Sequence, residues 1–231
     1  STWAASAKRF SWRHPEWVLG LVAAGGWVIV FVVHPGHTHE PVAGSWPALF
    51  RSWAAMVVAM MVPPALRMAR YVAVNSRWRR RQRAAFLFAG SSLAVWLPAA
   101  LAAAALAALP WVASNRRWLL GAALMLAAAW ELSPYKRRAL KACHRTIPLP
   151  PDGRKADKAD IRLGLLYGRA CFRACWSLML PMVVAAHVSP LLMLALTAIA
   201  VAEEVVVKGY KLAPVAATLL VVAALMVLVL G

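Results

Sequence analysis

The chain has 231 residues, of which 62% are apolar and 15% charged, with 26 Lys and Arg against 8 Asp and Glu. So apolar a composition excludes a disordered chain and disfavours a soluble enzyme, whose surface needs more polar groups. The charge of +18 is not a nucleic-acid footprint either, because the basic residues lie in short segments between long apolar runs, as in a polytopic membrane protein.

Residues 1–16 are polar and basic, with Lys8, Arg9 and Arg13, and lack the apolar core and cleavage site of a secretory signal. They are expected as a basic cytoplasmic N-terminus, followed by a single transmembrane helical domain over 17–231. Seven apolar runs cover 17–33, 46–66, 84–109, 118–135, 163–187, 190–207 and 212–230. A bilayer-crossing helix needs about 20 residues, and no run alternates with period two. The expected fold is therefore all-α, a polytopic membrane helix bundle of about seven transmembrane helices. Alternate connections carry 21 and three Lys or Arg, with the excess on the side of the N-terminus. That bias places the N-terminus in the cytoplasm and the protein, multi-pass, in a bacterial inner membrane. The lipid bilayer is an expected partner and nucleic acid is not.

Between the first two runs stands His34-Pro35-Gly36-His37-Thr38-His39-Glu40, and His187 ends the fifth run on the same side. Three imidazoles and a carboxylate this close either bind Cu(II), Zn(II) or Ni(II) or are a solvated loop. Near 139–161, Pro148, Pro150, Pro151 and Gly153 mark an irregular cytoplasmic loop. There is no Gly-rich phosphate loop, no Ser/His/Asp arrangement and no paired-Cys zinc signature.

Charged residues inside a span are costly and face the protein interior. Glu131, Arg169, Arg173, Glu203 and Glu204 fall near the cytoplasmic ends of the fourth, fifth and sixth runs. They form one intramembrane charge layer, either a structural cluster in which Glu131 or Glu203 pairs with Arg169 or Arg173, or a polar gate. Soft ligands make a second pattern. Cys171, Cys175, Met179 and Met182 follow steps of four, four and three, which place them on one helical face. The second run adds Met56, Met60 and Met61 at matching depth. Thiolates and thioethers select Cu(I), whereas the plainer reading is ordinary packing of Met and Cys.

The segment Trp53-Ala54-Ala55-Met56-Val57-Val58-Ala59-Met60-Met61-Val62-Pro63 resembles the Trp-x-x-Met-Val-x-Ala-Met-Met-x-Pro signature of a family of unknown function. Its members are described as predicted metal-binding integral membrane proteins. Ser133-Pro134-Tyr135-Lys136 through Cys143 is similar to that family's Thr/Ser-Pro-Leu-Lys stretch, which ends in Cys. Cys171, Cys175, Trp176, Leu178 and Met179 match its Cys-x-Gly-Cys-Cys-Trp-x-Leu-Met motif. Ala139 and Ala174 stand where the family often has Cys, Arg173 where it has Gly, and Glu204 where it has Lys.

The resemblance implies a membrane metal protein. Together with the soft-ligand stripe it points to copper binding, delivery or transport for a membrane oxidase or monooxygenase system, a non-enzymatic role. Other membrane subunits of such a complex are the expected partners. The rival classes are a structural accessory subunit with no metal of its own and a membrane enzyme with its own metal centre.

Overall fold

The computed structural model describes residues 14–33, 46–185, 190–206 and 209–230, and they are all-α. The order is α1 (Trp17–Val33), α2 (Trp46–Val74), a 3-10 turn (Trp78–Arg80), α3 (Arg81–Ala94), α4 (Leu97–Ala107), α5 (Pro110–Ser114) and α6 (Arg116–Glu131). Then come α7 (Pro134–Cys143), α8 (Arg154–Ala185), α9 (Pro190–Val205), a second 3-10 turn (Gly209–Leu212) and α10 (Ala213–Leu230). Every apolar run read from the sequence is thus mainly helical where it is described, with breaks inside the third and fourth.

The helix breaks follow local chemistry. The third run divides into α3 and α4, bent by 42°, with a proline in the first turn of α4, where a missing N–H costs no intrahelical bond. The fourth run stops at Glu131 because Ser133 caps a new helix. Its Oγ accepts from the Tyr135 N–H at 3.1 Å, and Pro134 opens α7. The irregular stretch is shorter than expected from the sequence, 144–153, because α7 runs to Cys143 and α8 starts at Arg154. The reason is amphipathicity: α7 buries Lys136, Ala139, Leu140 and Cys143, at helical spacings of three, four and seven.

Helix α8 is the centre of the bundle and packs against α3, α6 and α7, while α1 lies on α2 and α10 lies on α6. Its contact with α3 is made by glycine. A Cβ at Gly168 would fall 2.6 Å from the Ser92 carbonyl oxygen, and one at Gly164 would fall 2.5 Å from that of Phe88. The small-xxx-small pattern brings the two backbones together. The cytoplasm-facing ends expected from the charge bias are tied by a separate ion cluster. Arg80 bonds Asp157 at 2.7 Å and Asp160, Arg83 bonds Asp157 at 2.7 Å, and Ser76 accepts from Arg80 at 3.1 Å. Burial pushes the Asp160 carboxyl up, against the pull of the Arg80 guanidinium.

Among the described residues one helix, Trp53–Val74, is long and apolar enough to cross a bilayer, and the bent pair α3–α4 makes a second if counted as one span. Trp17–Phe31 and Ala213–Val229 are shorter apolar helices. The outward faces are apolar too. Leu21, Val28 and Ile29 on α1, Leu101 on α4, Trp118 and Leu126 on α6, and Val215, Leu219 and Val229 on α10 are all exposed.

Gly168→Leu forces α3 and α8 apart and is expected to lower stability by about 1–3 kcal/mol or more. Gly90→Ala, with nothing within 4 Å of the added carbon, is expected to leave the melting temperature unchanged or raise it. Thermal melts of the two variants in detergent check the pair, and equal melting temperatures would refute the contact.

Candidate metal centre

Three helix ends meet around one buried lysine. Glu131 is the last residue of α6, Lys136 lies in the first turn of α7, and Glu203 lies in the last turn of α9. The Lys136 Nζ is 2.6 Å from Glu203 Oε2 and also contacts Glu131 Oε2. All three side chains are shut off from solvent. The Ser133-Pro134 break makes this possible, because it turns the chain so that Lys136 folds back on the carboxylate five residues before it.

The charge layer expected from the sequence therefore has a different cation. Arg169 and Arg173 are exposed on α8 and do not pair with Glu131 or Glu203. A guanidinium on a long stem reaches the surface more cheaply than it is buried. By its position in the sequence, just past the fourth apolar run, Lys136 is a loop cation, and the burial of α7 makes it the partner instead.

Glu203 and Glu204 are consecutive, so their side chains leave α9 about 100° apart. Glu203 goes to Lys136. Glu204 goes to α8, where its Oε2 accepts the Tyr167 O–H at 2.5 Å and its Oε1 accepts the Cys175 S–H at 3.5 Å. The backbone at this turn is tight. A Cβ on Gly209 would fall 2.0 Å from the Glu203 carbonyl oxygen, so the chain after α9 folds under that carbonyl only with glycine there.

Cys171 and Cys175 are one helical turn apart and point the same way. Their sulfurs and a Glu204 carboxylate oxygen lie within 4.8 Å of one another, and all three residues are buried. The Cys171 Sγ is also 3.7 Å from Met61 Sδ on α2. Two thiols and a thioether with one carboxylate make a predominantly soft donor set, which suits Cu(I).

Of the expected ligands, the structure brings Cys171, Cys175 and Met61 together. Met56, Met60 and Met182 are buried core side chains. Met179 lies one turn beyond Cys175, on the wall of an apolar cavity also lined by Trp53, Val57, Trp96, Phe172 and Trp176. His34, His37, His39 and His187 lie outside the described residues. Glu204 was read from the sequence as part of the charge layer, not as a ligand. Its signal was there: of two adjacent carboxylates on one helix, only one can face a given partner.

Residues 50–227 match the protein family described as PpoB2, copper chaperone. No curated protein and no solved structure matches the chain. The matched segment contains Met61, Glu131, Lys136, Cys171, Cys175, Glu203 and Glu204.

Lys136→Met leaves two buried carboxylates facing each other with no cation, and is expected to cost about 3–5 kcal/mol. Arg169→Met, at an exposed position, is expected to change stability by less than about 0.5 kcal/mol. Denaturation midpoints of the two variants test this; a Lys136→Met midpoint equal to that of the unaltered protein would show that the triad does not hold the helices.

Proposed function

The chain belongs to the PpoB2 copper chaperone family, and we propose that it is an integral membrane member that holds Cu(I) as cargo between Cys171 and Cys175 and delivers it to a membrane oxidase or monooxygenase. The observation that carries this reading is the buried cluster of two sulfurs and a carboxylate within 4.8 Å. Met61 supplies a thioether as a third soft donor, and Glu204 places a carboxylate oxygen beside the two sulfurs.

Burial suits the cargo. Cu(I) bound to thiolates is protected there from water and from competing thiols, and a low dielectric strengthens its attraction to the ligand charges. Met179 on the cavity wall and Met182 beyond it continue the same helical face toward the end of α8. We read them, with Met56 and Met60, as a thioether track by which copper reaches the pair.

A membrane location is supported by the apolar outward faces of α1, α4, α6 and α10, which water would not tolerate over so large an area. It is supported also by the 21-to-three bias of basic residues between alternate connections. On this reading the seven helical runs cross a bacterial inner membrane with the N-terminus in the cytoplasm, and the acceptor is a membrane subunit that docks on the bundle.

Two experiments test the proposal. Purified protein in detergent, titrated anaerobically with Cu(I) against the chelator bicinchoninate, is expected to retain tightly held copper. The double variant Cys171→Ser/Cys175→Ser is expected to lose it; full retention by that variant would refute the site. For topology, a cysteine at Ser114→Cys is expected to react with an impermeant maleimide in intact cells and one at Lys158→Cys is not. The reverse pattern would invert the orientation.

A further inference from the structure

Toward its end, α8 borders a cavity of about 260 Å³ that it shares with α2 and α4. The walls are apolar, with Val57, Trp96, Ala99, Phe172, Trp176 and Leu180 among them. The backbone explains the space. Glycine contacts hold α3 against α8, and the 42° bend into α4 then carries the chain away from that helix. Leu106 is exposed on α4, and Trp176 and Leu180 are half-buried on α8, so the cavity opens to the outside of the bundle between the two.

Arg169, Arg173, Trp176 and Leu180 follow steps of four, three and four, which puts two arginines and the cavity wall on one stripe of α8. Both arginines are exposed, and neither has an ion pair among the described residues. The Trp130 Nε1 donates to the Arg173 carbonyl oxygen at 3.1 Å, and its ring meets that of Trp176 edge-on with centroids 5.1 Å apart. Trp130 is the next-to-last residue of α6, and indoles at the ends of membrane helices favour the headgroup level. On the membrane reading, the guanidiniums therefore stand at headgroup depth and the cavity at the depth of the acyl chains.

The two features fit one ligand. Guanidinium forks match phosphate oxygens, and basic residues at this level attract anionic headgroups. The cavity has almost no polar wall to orient a carbonyl or hydroxyl. At about 260 Å³ it falls short of the roughly 300–1,000 Å³ of sites for drug-sized molecules, and suits a single hydrocarbon chain. We propose that this face of α8 holds one anionic phospholipid, with its phosphate on Arg169 and Arg173 and one acyl chain in the cavity. The proposal rests on the membrane location proposed for the chain and is independent of copper. The acyl chain fills the gap left by the bend of α4 and covers Met179 from the lipid side.

The experiment is native mass spectrometry of the full chain, extracted in detergent from washed membranes and offered equal amounts of palmitoyl-oleoyl phosphatidylglycerol and phosphatidylcholine. Expected is one retained lipid, with a preference of roughly tenfold or more for phosphatidylglycerol, the scale of two basic residues at an anionic headgroup. Arg169→Gln/Arg173→Gln is expected to bring the preference close to parity. Ala99→Trp, which fills the cavity from α4, is expected to lose both lipids. Glycerophosphate, the headgroup phosphate without chains, is expected to leave the bound lipid in place. Equal retention of the two lipids by the unaltered protein overturns the proposal, and is the result expected of a face built for an acidic helix of a partner subunit. A preference kept in the arginine variant, full retention by Ala99→Trp, or displacement by glycerophosphate also overturns it. Circular dichroism checks the fold of both variants, and the glycerophosphate result needs neither. Recovery of the chain in the soluble fraction of broken cells overturns the membrane reading itself, and the lipid site with it.

Discussion

The ammonium of Lys136 between two carboxylates is the constraint on which the rest of the site depends. Enclosing charged groups costs several kcal/mol for each of them, and only close pairing offsets that cost. Such a cluster tolerates little movement. It therefore fixes the last turn of α6, the first turn of α7 and the last turn of α9 relative to one another. Ser133 and Pro134 set the bend that lets one cation reach both carboxylates. The Gly209 backbone under the Glu203 carbonyl closes the same corner from the far side.

Much of this was legible in the sequence, and the failures are instructive. The helical runs were legible because apolar stretches of this length have few alternatives in a chain so poor in charge. The Cys171–Cys175 pair was legible because a step of four on a helix places two side chains on one face whatever else the fold does. The ion partner was not. Arg169 and Arg173 were the cations inside a run, but their face of α8 is set by which side of that helix meets α3 and α6. That is a tertiary fact, written in Gly164 and Gly168, not in the arginines. Lys136 looked like a loop cation because an apolar run ended just before it. A lysine two residues after a Ser-Pro cap, five after a glutamate, was the available signal.

Glu204 shows the same limit from the other direction. Adjacent glutamates at the end of an apolar helix read as one acidic patch, yet a helix separates them by about 100°. One must therefore serve a different neighbour from the other. Which neighbour depends on α8 lying beside α9, and on Tyr167 and Cys175 being at the right height on it. With the Phe88 ring tilted against Tyr167, centroids 5.4 Å apart, the phenol is held from α3, so three helices contribute to the orientation of one carboxylate.

Because Glu203 and Glu204 share a backbone, the structural lock and the proposed copper site are mechanically joined. Any rotation of the end of α9 that withdraws Glu204 from the two sulfurs also pulls Glu203 against Lys136. Opening the site is thus opposed by the ion cluster. Motion of α7 works on the same lever, since Lys136 lies in its first turn. Helix α8 is packed against three neighbours and pinned by glycine contacts. The division is between a closely packed helix that supplies the thiols and a short one tethered by the ion cluster.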